Sequence, residues 1–218
     1  MALNNVNKIN KILNFGANVL KEAYDNNGYQ LDVRNGNYNY KENGYDPGEG
    51  YDESQIHEIF ERAGVNAKTL KNERYIVGFE IDKPDVDQLN KTLKLIDFTK
   101  DTINSVNNKG VLDYREINND SEKSGFNIHN LGDYNFVSHS LYRAGFNLQS
   151  YKENGMLKGF TTYDPDRAQV FRTENGIKAV VNDVKSKSDS DLLNKFSILE
   201  NSTIDSKAKG NDGYDYWF

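Results

Sequence analysis

Two stretches of this chain match at a fixed spacing. Asp52 to Asn66 reads Asp-Glu-Ser-Gln-Ile-His-Glu-Ile-Phe-Glu-Arg-Ala-Gly-Val-Asn, and Asp133 to Asn147 reads Asp-Tyr-Asn-Phe-Val-Ser-His-Ser-Leu-Tyr-Arg-Ala-Gly-Phe-Asn. Both open on Asp and close on Arg-Ala-Gly-x-Asn, 81 residues apart. The same offset relates Asn26-Asn27 to Asn107-Asn108, Leu31-Asp32 to Leu112-Asp113, Gly44 to Gly125, Gly78-Phe79 to Gly159-Phe160 and Pro84-Asp85 to Pro165-Asp166. Across positions 26–88 there are eighteen identities without a gap, where ordinary residue frequencies give about four. The period is longer than that of solenoid repeats, so each copy is a small domain-sized unit.

Each copy reads as helix, strand, loop, helix, strand. Residues 5–24 carry Ile9, Ile12, Leu13, Gly16, Leu20 and Ala23 at helical spacing, a core-facing stripe. Asn26-Asn27-Gly28 stops that helix, with Gly28 available for a left-handed residue. Tyr29–Val33 alternates as a short strand, and 35–51 is a turn-rich loop. Asp52 or Ser54 can cap the next helix, whose stripe is Ile56, Ile59, Phe60 and Ala63 and whose left-handed stop is Gly64. A polar stretch then leads to a strand at Tyr75–Ile81. Asp82-Lys83-Pro84-Asp85 starts a further helix. In it Val86, Leu89, Leu93, Ile96, Lys100 and Ile103 form a short heptad-like seam, too short for a coiled coil.

The expected fold is α+β and mostly helical: a tandem duplication of an ~81-residue helix–strand–loop–helix–strand unit with a helical C-terminal tail. The units are placed at 1–89 and 90–170 and share one core, their two long helices packing together. The tail, 171–218, holds helical segments near 177–187 and 190–200. Its Gly213-Tyr214-Asp215 echoes Gly50-Tyr51-Asp52, as a truncated third unit would.

Composition narrows the chemistry. The 218 residues include no cysteine, which removes disulfides, thiolate nucleophiles and Cys-based metal sites. Net charge is −6, so phosphate backbones and anionic membrane surfaces are repelled. Mean hydropathy is −0.82, yet 14 Tyr and 11 Phe can build a core. No apolar run approaches membrane-spanning length, and no secretory signal peptide is visible. Two localisations remain: the cytoplasm, or export by a route that needs no Sec-type signal.

Three motifs carry candidate chemistry. Asn107-x-x-Gly110-Val111-Leu112-Asp113-x-x-Glu116 resembles the second half of an EF-hand loop, which implies Ca2+ held by Asn107, Asp113 and Glu116. Ser105 and Lys109 then stand where carboxylates are wanted, and Asn-Gly and Lys-Gly turns are common in any fold. Asp133-Tyr134-Asn135-Phe136-Val137 with Ala144-Gly145 resembles the nucleophile helix of NlpC-type cysteine peptidases. The nucleophile would fall at Tyr134, so the resemblance implies a capped helix and no peptidase activity. His57, His129 and His139 form no ligand pair at metal-binding spacing, and Ser138-His139-Ser140 points to different helix faces.

With catalytic motifs lacking, the expected function is a non-enzymatic binding protein, an adaptor or regulator of a protein partner, built from two degenerate EF-hand-like repeats that respond to calcium. Its contact residues are expected in the aromatic loop and tail: Tyr38, Tyr40, Tyr45, Asp46 and Trp217. The same tyrosines would also suit a glycan. The alternative is a secreted bacterial effector or hydrolase with a carboxylate-based site between the repeats, since paired carboxylates assemble through space and leave no local motif. Neither nucleic acid nor membrane is an expected partner.

Overall fold

The computed structural model describes residues 2–36, 38–114 and 121–165. The chain divides into two compact units, Met1–Ala168 and Gln169–Phe218. The second unit, with the tail helices, the third-unit echo and Trp217, lies outside the described residues.

The first unit mixes helix and sheet. Its first half runs α1 (Ala2–Asp25), β1 (Tyr29–Asp32), a short 3-10 turn (Val33–Asn35), α2 (Tyr40–Asn43), α3 (Gly50–Arg62), β2 (Ala67–Asn72) and β3 (Tyr75–Ile81). The second runs α4 (Val86–Lys109), β4 (Val111–Asp113), α5 (Ser121–Ser124), α6 (Leu131–Arg143), β5 (Asn147–Glu153) and β6 (Met156–Tyr163). Each half holds one antiparallel three-stranded sheet, in the order β1-β3-β2 and β4-β6-β5. The expected boundary at 89/90 therefore falls inside α4. Buried apolar residues of both halves, from Val6 to Phe160, form one continuous core. No helix among the described residues is long and apolar enough to cross a membrane.

Several elements depart from the sequence expectation. The polar stretch before β3 is itself a strand, β2, whose residues are all partly or fully exposed. An edge strand wet on both faces lacks the alternating pattern that announces one. Asn154 and Gly155, which turn β5 into β6, have φ of 51° and 78°, the signature of an Asn-Gly hairpin turn. At the end of α1 the left-handed residue is Asn27 (φ 62°) rather than Gly28. α3 starts at Gly50, and Asp52 lies in its first turn rather than capping it. On α4, Val86 is exposed, while Thr92, Thr99 and Thr102 are buried beside Leu89, Ile96 and Ile103. Thr99 and Thr102 satisfy their hydroxyls by donating to the Leu95 and Phe98 carbonyls, at 2.7 and 2.8 Å.

The two halves correspond element by element, but not at one offset. From α2 onward, equivalent positions are 81 apart. In the long helices they are 83 apart: Val6, Ile12, Leu13, Leu20 and Ala23 are buried in α1 as Leu89, Leu95, Ile96, Ile103 and Val106 are in α4. Hydrogen bonds and ring contacts agree. Lys11 donates to the Lys41 carbonyl and Lys94 to the Glu122 carbonyl, both at 2.8 Å. Phe15 stacks on Tyr45 at 5.4 Å and Phe98 on Phe126 at 4.7 Å. The strands follow: Leu31 pairs with Phe79, but Leu112 pairs with Thr162, the counterpart of Ile81. The matches of Asn26-Asn27 and Leu31-Asp32 at 81 residues are thus coincidences two positions out of structural register.

Gly44 and Gly125 end the short helices α2 and α5 in the left-handed region, at φ 79° and 69°. A Cβ on Gly44 would meet the Lys8 carbonyl at 3.1 Å and the Ile12 nitrogen at 3.2 Å. One on Gly125 would meet the Lys91 carbonyl at 2.6 Å and the Leu95 nitrogen at 2.8 Å. In both halves the loop before the third helix is held against the long helix with no room for a methyl group. Gly125→Ala is expected to lower stability by about 3 kcal/mol and Gly44→Ala by about 2 kcal/mol, measured by urea unfolding.

Candidate functional site

The first turn of α3 is fixed by one carboxylate. Asp52, 2% exposed, turns back so that its Oδ2 accepts the Asp46 backbone N–H at 3.1 Å. Its Oδ1 lies 3.0 Å from the Lys8 ammonium on α1, which also donates to Glu49 Oε2 at 2.6 Å. Burial pushes the Asp52 carboxyl upward in spite of Lys8. Burial alone would lower Lys8, but its bonds to Glu49 and Asp52 outweigh that and raise it.

Beside this cluster α1 and α3 meet the end of α6 and the start of β5, leaving a groove of about 440 Å³. The first half lines it with Asn5, Lys8, Ile9, Glu49, Tyr51 and Asp52, the second with Tyr142, Arg143, Gly145, Phe146 and Asn147. Tyr51 and Tyr142 are 77% and 76% exposed, although large rings usually find cover. Arg143 is held in place: it donates to Gln55 Oε1, to Glu58 Oε2 at 3.2 Å and to Ser54 Oγ at 3.1 Å. His139 Nδ1 meets Glu58 Oε1 at 2.6 Å, and Gln55 donates to Ser140 Oγ at 3.1 Å. These bonds join α3 to α6, so the wall that carries Tyr142 is braced by the half that carries Tyr51.

The pseudo-equivalent place is a second cavity between the halves, of about 460 Å³, lined by Glu61, Arg62 and Gly64 of the first half and by residues of α4 and the start of α6. There Asp133, 2% exposed, accepts the Asn127 N–H at 3.1 Å, as Asp52 accepts that of Asp46. Lys91 stands where Lys8 stands.

A third polar cluster occurs in the first half alone. The buried Tyr45 hydroxyl donates to Glu53 Oε2, and Glu53 Oε1 meets His57 Nε2 at 2.9 Å. Burial, followed by the bond to Glu53, pushes the Tyr45 hydroxyl far up. Thr69 Oγ1 lies 3.5 Å from the same His57 nitrogen. Glu53 and Thr69 share one ring nitrogen, so His57 cannot be oriented by one while acting on the other. The counterparts Phe126, Tyr134, Ser138 and Ser150 include no carboxylate or histidine.

The residues expected to bind fall in different places. Tyr45 is wholly buried, stacked on Phe15. Tyr38 is half-buried against Phe15, and its hydroxyl donates to the Tyr45 carbonyl at 2.9 Å. Asp46 folds onto its own loop, accepting the Gly48 N–H at 2.8 Å. Of the described candidates only Tyr40, 51% exposed, presents a ring to solvent. Of the three tyrosines expected to suit a glycan, Tyr45 is buried, Tyr38 is half-buried and Tyr40 is exposed.

The EF-hand-like loop is not a loop. Ser105, Asn107 and Lys109 lie on α4, which ends at Gly110, and Asp113 ends β4. Residues two apart on a helix point to nearly opposite sides, so the first three ligand positions cannot converge on one ion. Glu116 lies outside the described residues. Among the described residues no group of three or more His, Asp or Glu side chains could hold a metal ion.

Tyr51 and Tyr142 were not anticipated. Their signal is an aromatic set off the apolar stripe of its own helix, one at the first turn of α3 and one at the last turn of α6. Comparison of the chain with protein-family models, curated proteins and solved structures found no match.

The Glu53 carboxylate raises the pKa of His57, against the effect of burial. A raised folded-state pKa makes this pair's stabilisation complete below about pH 6.5 and lost as pH rises through the folded value. His57 is 36% exposed, so screening limits the effect to about 0.5 kcal/mol. His57→Gln is expected to remove that much of the stability change between about pH 6 and pH 8, read from urea midpoints of both proteins.

Proposed function

We propose that this chain is a non-enzymatic binding protein, an adaptor or regulator that grips a segment of another protein in the groove between its two halves. The observation that carries the reading is the pair Tyr51 and Tyr142: two rings left more than three-quarters exposed, one from each half, lining one groove. Aromatic side chains fixed on helices supply contact area at little entropic cost, and such residues dominate binding energy at interfaces. Around them Asn5, Asn147 and Glu49 offer hydrogen bonds from a polar rim.

The same reading takes the chain as a tandem duplication whose copies have diverged. It rests on the repeated Asp…Arg-Ala-Gly-x-Asn stretch and on the equivalent burial, cap and backbone contacts in both halves. One two-residue length difference, between β1 and α2 and their counterparts, accounts for the change of offset. Two of the positions that differ between the copies lie in the groove: Tyr51 corresponds to Gly132, and Tyr142 to Glu61.

A hydrolase with its site between the halves is the second reading, because Asp52 and Glu49 enter the same groove. Both Asp52 oxygens are already engaged, by Lys8 and by the Asp46 N–H, which favours a structural carboxylate and puts binding first.

A random-peptide display library selected against the whole chain tests the reading. Enriched peptides are expected to bind a Tyr51→Ala/Tyr142→Ala double variant at least about tenfold more weakly, with its melting temperature unchanged. Peptides that bind the double variant as tightly as the parent would overturn the groove.

A further inference from the structure

The second cavity repeats the layout of the groove with a different balance of charge. In the groove both cations are consumed: Lys8 is bonded to Glu49 and Asp52, and Arg143 to Ser54, Gln55 and Glu58. In the cavity the corresponding Lys91 and Arg62 are not. Asn130 stands at the position of Glu49 and spends its Oδ1 on the N–H groups of Gly132 and Asp133. Lys91 Nζ lies 4.0 Å and Arg62 Nη1 3.7 Å from Asp133, ion-pair distances that leave their N–H groups free to donate.

Two further features have the wrong character for an empty site. The Arg62 guanidinium packs directly on Gly132, where a Cβ would lie 1.9 Å from Nη1. It thus sets a positive charge against the first turn of the 13-residue helix α6, the end where the helix dipole favours anions. The second feature is Thr92, whose counterpart in the groove is the apolar Ile9. Thr92 is 1% exposed and lines the cavity. Its hydroxyl, unlike those of Thr99 and Thr102, has no hydrogen-bond partner. Buried hydroxyls are ordinarily satisfied. Asp133 holds the two cations in place, and Glu61 stands exposed at the rim. Against these two carboxylates stand a guanidinium, an ammonium and a spare hydroxyl, the Gly132 and Asp133 N–H groups of the helix being already taken by Asn130.

We propose that this cavity binds a phosphoryl group, as free phosphate or as a small phosphomonoester. Arg62 and Lys91 approach it from α3 and α4 and supply charge-assisted hydrogen bonds. Thr92 lines the same cavity, and its unpartnered hydroxyl is the further donor the site would use. A volume of about 460 Å³ exceeds that of phosphate alone and leaves space for an esterified group.

Calorimetric titration of the full chain with inorganic phosphate is expected to show one saturable site. Lys91→Gln, at a half-exposed residue that makes no hydrogen bond, and Thr92→Val should each weaken it by about tenfold. Lys68→Gln makes the same charge change on an exposed strand and should leave it unaltered. Without phosphate, Thr92→Val should melt at the same or a higher temperature, because it removes an unsatisfied hydroxyl. It should then lose the phosphate-induced rise in melting temperature, a combination that a merely structural threonine would not give. O-phosphoserine binding more tightly than phosphate assigns the site to an ester, and weaker binding assigns it to the free ion. No saturable binding, equal binding to the Lys91 and Thr92 variants, or acetate binding as tightly as phosphate would overturn the proposal. The Tyr51→Ala/Tyr142→Ala variant should bind phosphate normally, so this site and the groove stand or fall separately.

Discussion

The carboxylate in the first turn of the third helix of each half holds the surrounding structure together. Asp52 and Asp133 are almost wholly buried, and each reaches back six residues to a backbone N–H of the preceding loop. A lysine of the long helix meets each from the other side. Three segments are thereby tied at one point: the loop, the start of the third helix and a single turn of the long helix. The glycine that ends the short helix packs on that same turn. An unpaired buried carboxylate would cost several kcal/mol, so the loop is well placed only when all three segments are.

This explains which parts of the fold could be read in advance. The Asp at the head recurs because each half uses it for this joint, whereas the Arg at the foot pairs across the halves, Arg62 with Asp133 and Arg143 with Glu58. The pattern alone could not say whether the Asp caps its own helix or reaches back to the loop, since both uses demand the same residue type. In α6 the cap is Asn130. In α3 Glu49 occupies the cap position without a capping bond from its side chain, and Asp52 reaches back to the loop. The register of the long helices was hidden for a different reason. A shift of two residues keeps every strand residue on its own face, so Leu31-Asp32 and Leu112-Asp113 look equivalent at an offset that the strand pairing does not use.

The sites were less legible than the scaffold. Aromatic residues in a turn-rich segment look like a contact surface, yet Tyr45 is needed to fill the core against Phe15, just as Phe126 does against Phe98. The exposed rings come instead from helices whose apolar stripes they do not join. The groove gathers Asn5 and Asn147 from opposite ends of the described chain, and no local spacing announces such a meeting. The contrast between Ile9 and Thr92 likewise becomes visible only when the helices are aligned by burial rather than by identity.

The sheet order has a consequence for how the chain reaches this state. Within each half the central strand forms one hairpin with the strand just before it, across a two-residue turn. Its other neighbour, β1 or β4, arrives from the far side of a helix-bearing loop, about fifty residues away along the chain. The hairpins close over a few residues, whereas pairing of β1 or β4 closes a loop that contains the short helix, the third helix and the hairpin. Contact order therefore assigns the larger loop-closure entropy to docking of the first strand of each half.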